Sequence, residues 1–151
     1  MLERFAMIKI TKESSVSIDD VLHLYQAVGW TNYTNQPQML EQALSHSLTT
    51  YLARDGEEIV GLMRLVGDGF SSVFVQDLIV LPSYQRQGIG SNLMKEALAD
   101  YKDAYQIQLA TEQTEKTLGF YRSLGFETLS TYDCTGMIWV DRKKIKIILL
   151  S

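Results

Sequence analysis

The chain has 151 residues, 46% of them apolar and 21% charged, with a formal net charge of -4. That size fits one domain spanning residues 1–151 with a core of its own. The acidic balance, with no basic stripe and no zinc-finger spacing, argues against nucleic acid as a partner and mildly favours a cationic one. Cys134 is the only cysteine, so no intrachain disulfide forms, as suits a reducing cytoplasm. In YDCTG it reads as a small buried or half-buried filler rather than a nucleophile. The opening MLERFAMIKITKE has scattered charges unlike a signal peptide. No apolar run approaches the roughly 18 residues that span a membrane, so no membrane partner is expected.

In chain order, residues 5–10 read as a first strand. Ser17 caps a helix, with Asp20 three residues on as a capping-box variant. Val21, Leu22, Leu24, Tyr25 and Val28 form its apolar side and Gly29 ends it. GWTNYTNQP then reads as an aromatic-rich loop, after which Pro37 opens a second helix ending near 44 or 46. Residues 48–53, 59–66 and 72–80 are strands. Short turns at Arg54-Asp55-Gly56-Glu57 and Gly67-Asp68-Gly69 join them into an antiparallel sheet. The rhythm then changes to a helix over 88–101, a strand over 105–110, a helix over 114–124 stopped by Gly125, and strands over 126–132 and 137–140. That alternation indicates βαβ packing. The expected fold class is α/β (mixed α+β), a mostly antiparallel twisted sheet flanked by helices. The tail VDRKKIKIILLS is too apolar to stand in water and is expected to help seal a homodimer.

The run DLIVLPSYQRQGIGSNLM, Asp77 to Met94, carries the strongest chemical signal. A β-branched strand stops at Pro82 and a polar turn opens onto a helix through Gln85, Arg86, Gln87, Gly88, Ile89, Gly90 and Ser91. The spacing Gln85-x-x-Gly88-x-Gly90 is neither the G-x-G-x-x-G of a dinucleotide fold nor a Walker A loop. The physics still favours an anion. Two glycines leave no side chain in its way, and the first-turn amides from about Gln87 to Ser91 lack intrahelical acceptors. Arg86 either adds a charge or sits in solvent, and an ordinary tight turn is the competing reading of the glycines alone.

VLPSYQRQGIGSNLM resembles the acetyl-coenzyme A signature of the GCN5-related N-acetyltransferase (GNAT) superfamily, Arg/Gln-x-x-Gly-x-Gly/Ala, with Gln85, Gly88 and Gly90 at its defined positions. Some thirty residues on, Phe120-Tyr121-Arg122-Ser123-Leu124-Gly125-Phe126 resembles the family's FY-x-x-x-GF element. The resemblance implies a GNAT-like three-layer fold with acetyl-coenzyme A as cofactor. Amides from Gln85 to Ser91 would hold its pyrophosphate, and main-chain groups of Leu78, Ile79 and Val80 its pantetheine arm. It also implies that Tyr121 protonates the leaving thiolate. Thr114 stands where family members commonly carry an asparagine, and keeps one possible cofactor contact. Glu112, Thr111 and Glu115 fall near the same mouth.

A neutral amine must attack, so a proton must leave. Asp77 is the best carboxylate for orienting the amine or relaying its proton, against the alternative of a strand-end residue satisfied by a backbone amide. His46 and His23 are weaker candidates, and a dedicated base is not required. In the resemblance the loop with Trp30 and Tyr33 walls the acceptor site, where aromatics suit an organic cation; capping the sheet as core is the alternative. An inward Arg64 would argue for an acceptor bearing a carboxylate. The expected activity is transfer of an acetyl group from acetyl-coenzyme A directly to a small-molecule primary amine, with no metal. The alternatives are acetylation of a protein N-terminus or lysine, and a non-catalytic acetyl-coenzyme A sensor.

Overall fold

Five strands lie in one sheet in the order of the chain: β1 (Ile8–Glu13), β2 (Thr49–Asp55), β3 (Glu58–Gly67), β4 (Ser72–Val80) and β5 (Gln106–Leu109). The computed structural model describes residues 7–139 and 141. Neighbours pair antiparallel through β4, and β5 joins β4 in parallel. Helices α1 (Ile18–Ala27), α2 (Thr31–Thr34) and α3 (Pro37–Ser45) cover one face, α4 (Ile89–Asp100) covers the other, and α5 (Glu115–Ser123) follows β5. On the first face Val21, Leu24, Tyr25, Leu40 and Leu44 pack with Leu52, Leu62 and Ile79. On the second, Ile89, Leu93, Met94 and Ala97 pack with Tyr51, Val60, Met63, Leu65, Val73 and Val75. Leu93 and Met94 are fully buried, each such side chain contributing about 1.5–3 kcal/mol. The result is the expected three-layer arrangement with a mostly antiparallel sheet.

Local signals set the ends of elements. Ser17 Oγ accepts from the Asp19 amide at the start of α1. Gly29, at φ 71, closes that helix: its N–H donates to Gln26 and that of Trp30 to Tyr25, the paired bonds of a Schellman cap. In the β3–β4 hairpin Gly67 has φ 127, and Asp68 accepts from the amides of Phe70 and Ser71 at 2.7 Å and of Ser72 at 3.2 Å. The Ser71 hydroxyl and these amides hold the Asp68 carboxyl well below the usual carboxylate range. It is a turn former.

One register shift decides which side chains meet. Arg64 pairs with Asp77 but Leu65 pairs with Val75, so Gln76 is an extra residue in β4. Strict alternation would keep Val73, Val75, Asp77 and Ile79 on one face. The bulge breaks the alternation. Val73 and Val75 face α4, whereas Ile79 enters the α1–α3 core, and Leu78 and Val80 pack on the α4 side.

Asp77 is thereby carried into the first core, only 2% exposed. Its Oδ2 accepts from Arg64 Nε at 2.7 Å and Tyr25 Oη at 2.8 Å, and its Oδ1 from Tyr33 Oη at 2.8 Å. Arg64, 4% exposed, also donates to Tyr33 Oη at 3.2 Å and Ser47 Oγ at 3.3 Å. Four elements, α1, α2, β3 and β4, are thus tied to one carboxylate. Each donor satisfies a group whose burial alone is costly. Burial, and next the Asp77 charge, push the phenols of Tyr25 and Tyr33 above their ordinary value.

β5 pairs only with the first part of β4, from Ser72↔Gln106 to Val75↔Leu109. Past that point the chain leaves for α5, so residues 76–80 keep a strand edge without a β5 partner.

Several boundaries differ from the sequence reading. β1 runs Ile8–Glu13 rather than 5–10, and residues 5 and 6 lie outside the described residues. The aromatic loop contains α2, nucleated where the Tyr33 and Thr34 amides donate to Trp30. The strand expected over 126–132 is absent. Thr128, Ser130 and Thr131 hydroxyls bond one another locally and the chain makes a 3-10 turn at Leu129–Tyr132. Residues 137–139 form no strand, Cys134 is exposed, and the tail expected to seal a dimer lies outside the described residues.

Two glycines are expected to respond oppositely to alanine in urea unfolding. At Gly67 a Cβ would collide with the Ser72 carbonyl at positive φ, so Gly67→Ala lowers stability by about 1–3 kcal/mol. Gly119, inside α5 with open space around it, gives Gly119→Ala a gain of about 0.5–1 kcal/mol. Arg64→Met leaves the Asp77 charge buried without its partner and costs about 3–5 kcal/mol. Unfolded tyrosines ionise near pH 10 while Tyr25 and Tyr33 stay protonated in the fold. Their contribution is therefore fully present below pH ~10 and falls as pH rises through the folded values. Tyr25→Phe reduces that alkaline loss in urea titrations across this range.

Candidate active site

The turn after β4 is built by backbone geometry. Leu81 leads into a 3-10 turn at Pro82–Tyr84, and Gln85 is extended at φ -68, ψ 159. Arg86 then adopts φ 64 and Gly88, the N-cap of α4, φ 80. A side-chain residue at positive φ is uncommon and concentrates at ligand sites. The loop is braced at both ends: Gln85 Nε2 donates to the Val80 carbonyl at 3.1 Å, and Tyr84 Oη to Asp55 Oδ2 at 2.6 Å. No side chain caps α4. Asn92 is bonded to the Gly88 carbonyl, which leaves the Ile89, Gly90 and Ser91 amides of the first turn without helical acceptors.

α5 forms the opposite wall. Thr114 caps it, accepting from the Thr117 amide at 3.2 Å. The FYRSLGF run ends it in a second Schellman cap. Gly125, at φ 95, donates to the Arg122 carbonyl at 3.0 Å, and Phe126 donates to the Tyr121 carbonyl at 3.1 Å. The hydrophobic contact that accompanies this cap is the Tyr121–Phe126 ring pair, 6.0 Å between centroids. The signature phenylalanine and glycine therefore fix the tyrosine's own turn of helix. Phe120 packs edge-on to Tyr121 at 4.9 Å, and a Cβ at Gly90 would lie 3.5 Å from Phe120 Cζ. That is an ordinary van der Waals distance, so α4 and α5 meet at Gly90 and Phe120 with room for no more than a methyl group.

Between these walls lies a groove of about 570 Å³. Leu78, Val80, Ile89, Gln85, Arg86, Gly88, Gly90, Ser91 and Tyr121 line it, together with Tyr84, Lys116, Thr117 and Phe120. The last four escaped the sequence reading. Helical spacing was the available signal, because Lys116 and Thr117 stand one turn before Phe120 and Tyr121 on the same side of α5. Ile79 does not reach the groove with its side chain, which is buried in the opposite core. Gln87 and Thr114 are not among the lining residues, and the Thr114 hydroxyl is taken up by Thr117. Thr111, Glu112 and Glu115 are exposed and off the lining. Burial pushes the Tyr121 phenol above its ordinary value, a hydrogen bond with Thr111 opposing it. The phenol is held in its proton-donating form.

The expected acceptor side is different from its sequence reading. Asp77 is not at a strand end; its carboxylate is sealed by Arg64, Tyr25 and Tyr33, which leaves it no opening to an amine. Arg64 points inward, but to Asp77, so it supplies no free charge for an acceptor carboxylate. Tyr33 is 7% exposed and donates into the same network, and half-buried Trp30 packs against Tyr25 and Tyr33 at 6.1 and 6.2 Å. These aromatics cap the core. His23 Nε2 lies 2.7 Å from the Ile59 carbonyl and ties α1 to β3, while His46 Nδ1 lies 2.8 Å from the Gln42 carbonyl and closes the end of α3, so both serve the fold. No cluster able to hold a metal occurs among the described residues.

An acetyltransferase (GNAT) domain model matches residues 46–128, which includes β2 through α5 and both groove walls. A GNAT family acetyltransferase from Streptococcus pneumoniae TIGR4 is 75% identical, with a TM-score of 0.83 over 90% of this chain and 99% of that one. Serotonin N-acetyltransferase 2, chloroplastic, of Oryza sativa subsp. japonica is 33% identical over 95 residues, 60% of this chain. The chain spans 48% of that relative's length. A GNAT acetyltransferase from Elizabethkingia anophelis, solved with acetyl-CoA bound, shares the fold at 21% identity and a TM-score of 0.59, with 89% of each chain covered. With a GNAT domain model matched over residues 46–128, more than half of its length, this chain belongs to the GNAT acetyltransferase family.

Proposed function

We propose that the protein is an acetyl-coenzyme A dependent N-acetyltransferase acting on a primary amine of a small molecule. The observation that carries the reading is the groove, where unbonded first-turn amides, a strand edge unpartnered among the described residues and a proton-donating phenol face one cavity. The donor set suits the cofactor. The Ile89, Gly90 and Ser91 amides match a diphosphate, and the edge of residues 76–80 offers main-chain partners to the two amides of a pantetheine arm. The acetyl-CoA bound to the Elizabethkingia relative supports the same cofactor here.

When bound, the cofactor supplies a thioester carbonyl open to attack by an amine. Tyr121, half-buried and held neutral, would donate its proton toward the leaving sulfur. At the bulge Gln76 is exposed, with its Nε2 3.4 Å from Tyr33 Oη. The amine's own proton passes to water, because the Asp77 carboxylate is fully engaged. Asp77, Trp30, Tyr33 and Arg64 act by fixing α1 and α2 against the sheet. Similarity to a serotonin N-acetyltransferase supports an arylalkylamine as the first acceptor class to examine.

A cofactor-binding module without turnover is the second reading, favoured by the sealed state of Asp77. A thiol-release assay with a panel of arylalkylamines, polyamines and amino acids separates the two. Turnover with one class supports the enzyme; tight acetyl-coenzyme A binding with no thiol released from any amine supports the module. In an active protein Tyr121→Phe lowers kcat by about 10²-fold, while the Kd for acetyl-coenzyme A changes less than threefold, roughly. Equal losses in both would remove Tyr121 from the proton-transfer role.

A further inference from the structure

Acidic residues outnumber basic ones by 18 to 14 in this chain, yet among the described residues no Asp or Glu lines the groove. Two cations do, Arg86 and Lys116. Elsewhere Arg54, Arg64, Arg122 and Lys12 are paired with Glu13, Asp77, Glu127 and Asp100, and the lysines that share the lack of a partner, Lys9, Lys95 and Lys102, lie off the groove lining. The side chains of Arg86 and Lys116 make no hydrogen bond or ion pair among the described residues. They stand on opposite walls. Arg86 belongs to the loop before α4, held at φ 64, and Lys116 sits on α5 four residues before Phe120. That spacing puts it on the same helix face, about 6 Å along the axis.

The first-turn amides already suffice for a diphosphate, since the end of a helix carries roughly half a positive charge besides its free donors. Two full, unpaired cations exceed that need. They match a ligand with a further phosphate, and no described residue partners them. We infer that Lys116, together with Arg86, is a specificity-determining residue that recognises the ribose phosphomonoester distinguishing coenzyme A from its dephosphorylated form and from a phosphopantetheine arm on a carrier protein. This rests on the acetyl-coenzyme A reading above.

Isothermal titration of the full chain with acetyl-coenzyme A and with acetyl-3′-dephospho-coenzyme A tests it. The wild type binds the former more tightly by about tenfold, the size of one charge-assisted contact, and added salt narrows the gap. Lys116→Gln loses most of that preference by weakening acetyl-coenzyme A alone; Lys116→Arg retains it. Lys95→Gln, an exposed lysine of α4 off the groove lining, leaves both constants unchanged. Equal weakening of both ligands by Lys116→Gln, or no change in either, overturns the assignment while leaving the cofactor reading intact. A wild type that binds neither thioester overturns both.

Discussion

One extra residue in one strand organises this molecule. Gln76 shifts the pairing of β3 with β4 and so inverts which face each later side chain meets. Asp77 enters the helix-covered core, while Leu78 and Val80 turn toward α4 and the groove. A buried carboxylate without partners would be prohibitively costly. Arg64 and the phenols of Tyr25 and Tyr33 supply them, and those donors come from three different elements. The phenol bonds that help satisfy this carboxylate also hold α1 and α2 onto the sheet beside the open half of β4.

The groove follows from what that arrangement leaves unpaired. β5 accompanies β4 only as far as Val75, and α4 begins at a glycine with no capping side chain. Both features are deficits by the rules of stable folds, since an unpaired strand edge and an uncapped helix expose donors and acceptors. Here they converge on one cavity, with the Tyr121 phenol on its far wall. The two Schellman caps place aromatic side chains with the same local device. One sets Trp30 against Tyr25, the other Phe126 against Tyr121. In the first the rings serve the core; in the second they present a hydroxyl to the groove.

Such a division of labour explains why the polar residues on β3 and β4 resist a catalytic reading. A carboxylate held by three donors stabilises geometry and has little left for an acceptor amine. The half-exposed phenol of α5 and the bare amides of α4 are the groups with unspent capacity.

Everything governed by near neighbours was legible in the chain: the Ser17 cap, the Gly29 and Gly125 stops, the Asp68 turn, and the glycine loop with its open amides. The order of elements and the mixed sheet were legible too, because periodicity and turn chemistry act over a few residues. Residues 126–132 misled, since β-prone residues such as Phe126, Thr128, Thr131 and Tyr132 do not reveal that hydroxyls will bond one another first. The faces of Asp77 and Ile79 were hidden for a deeper reason. A bulge adds a residue without a sequence signature, and its parity flip depends on which strand lies alongside. Local pattern thus determined the elements and the anion-binding turn. Only tertiary pairing decided that Arg64, Asp77 and Tyr33 would spend their charges and hydroxyls on one another, and that Lys116 would stand across a groove from Arg86.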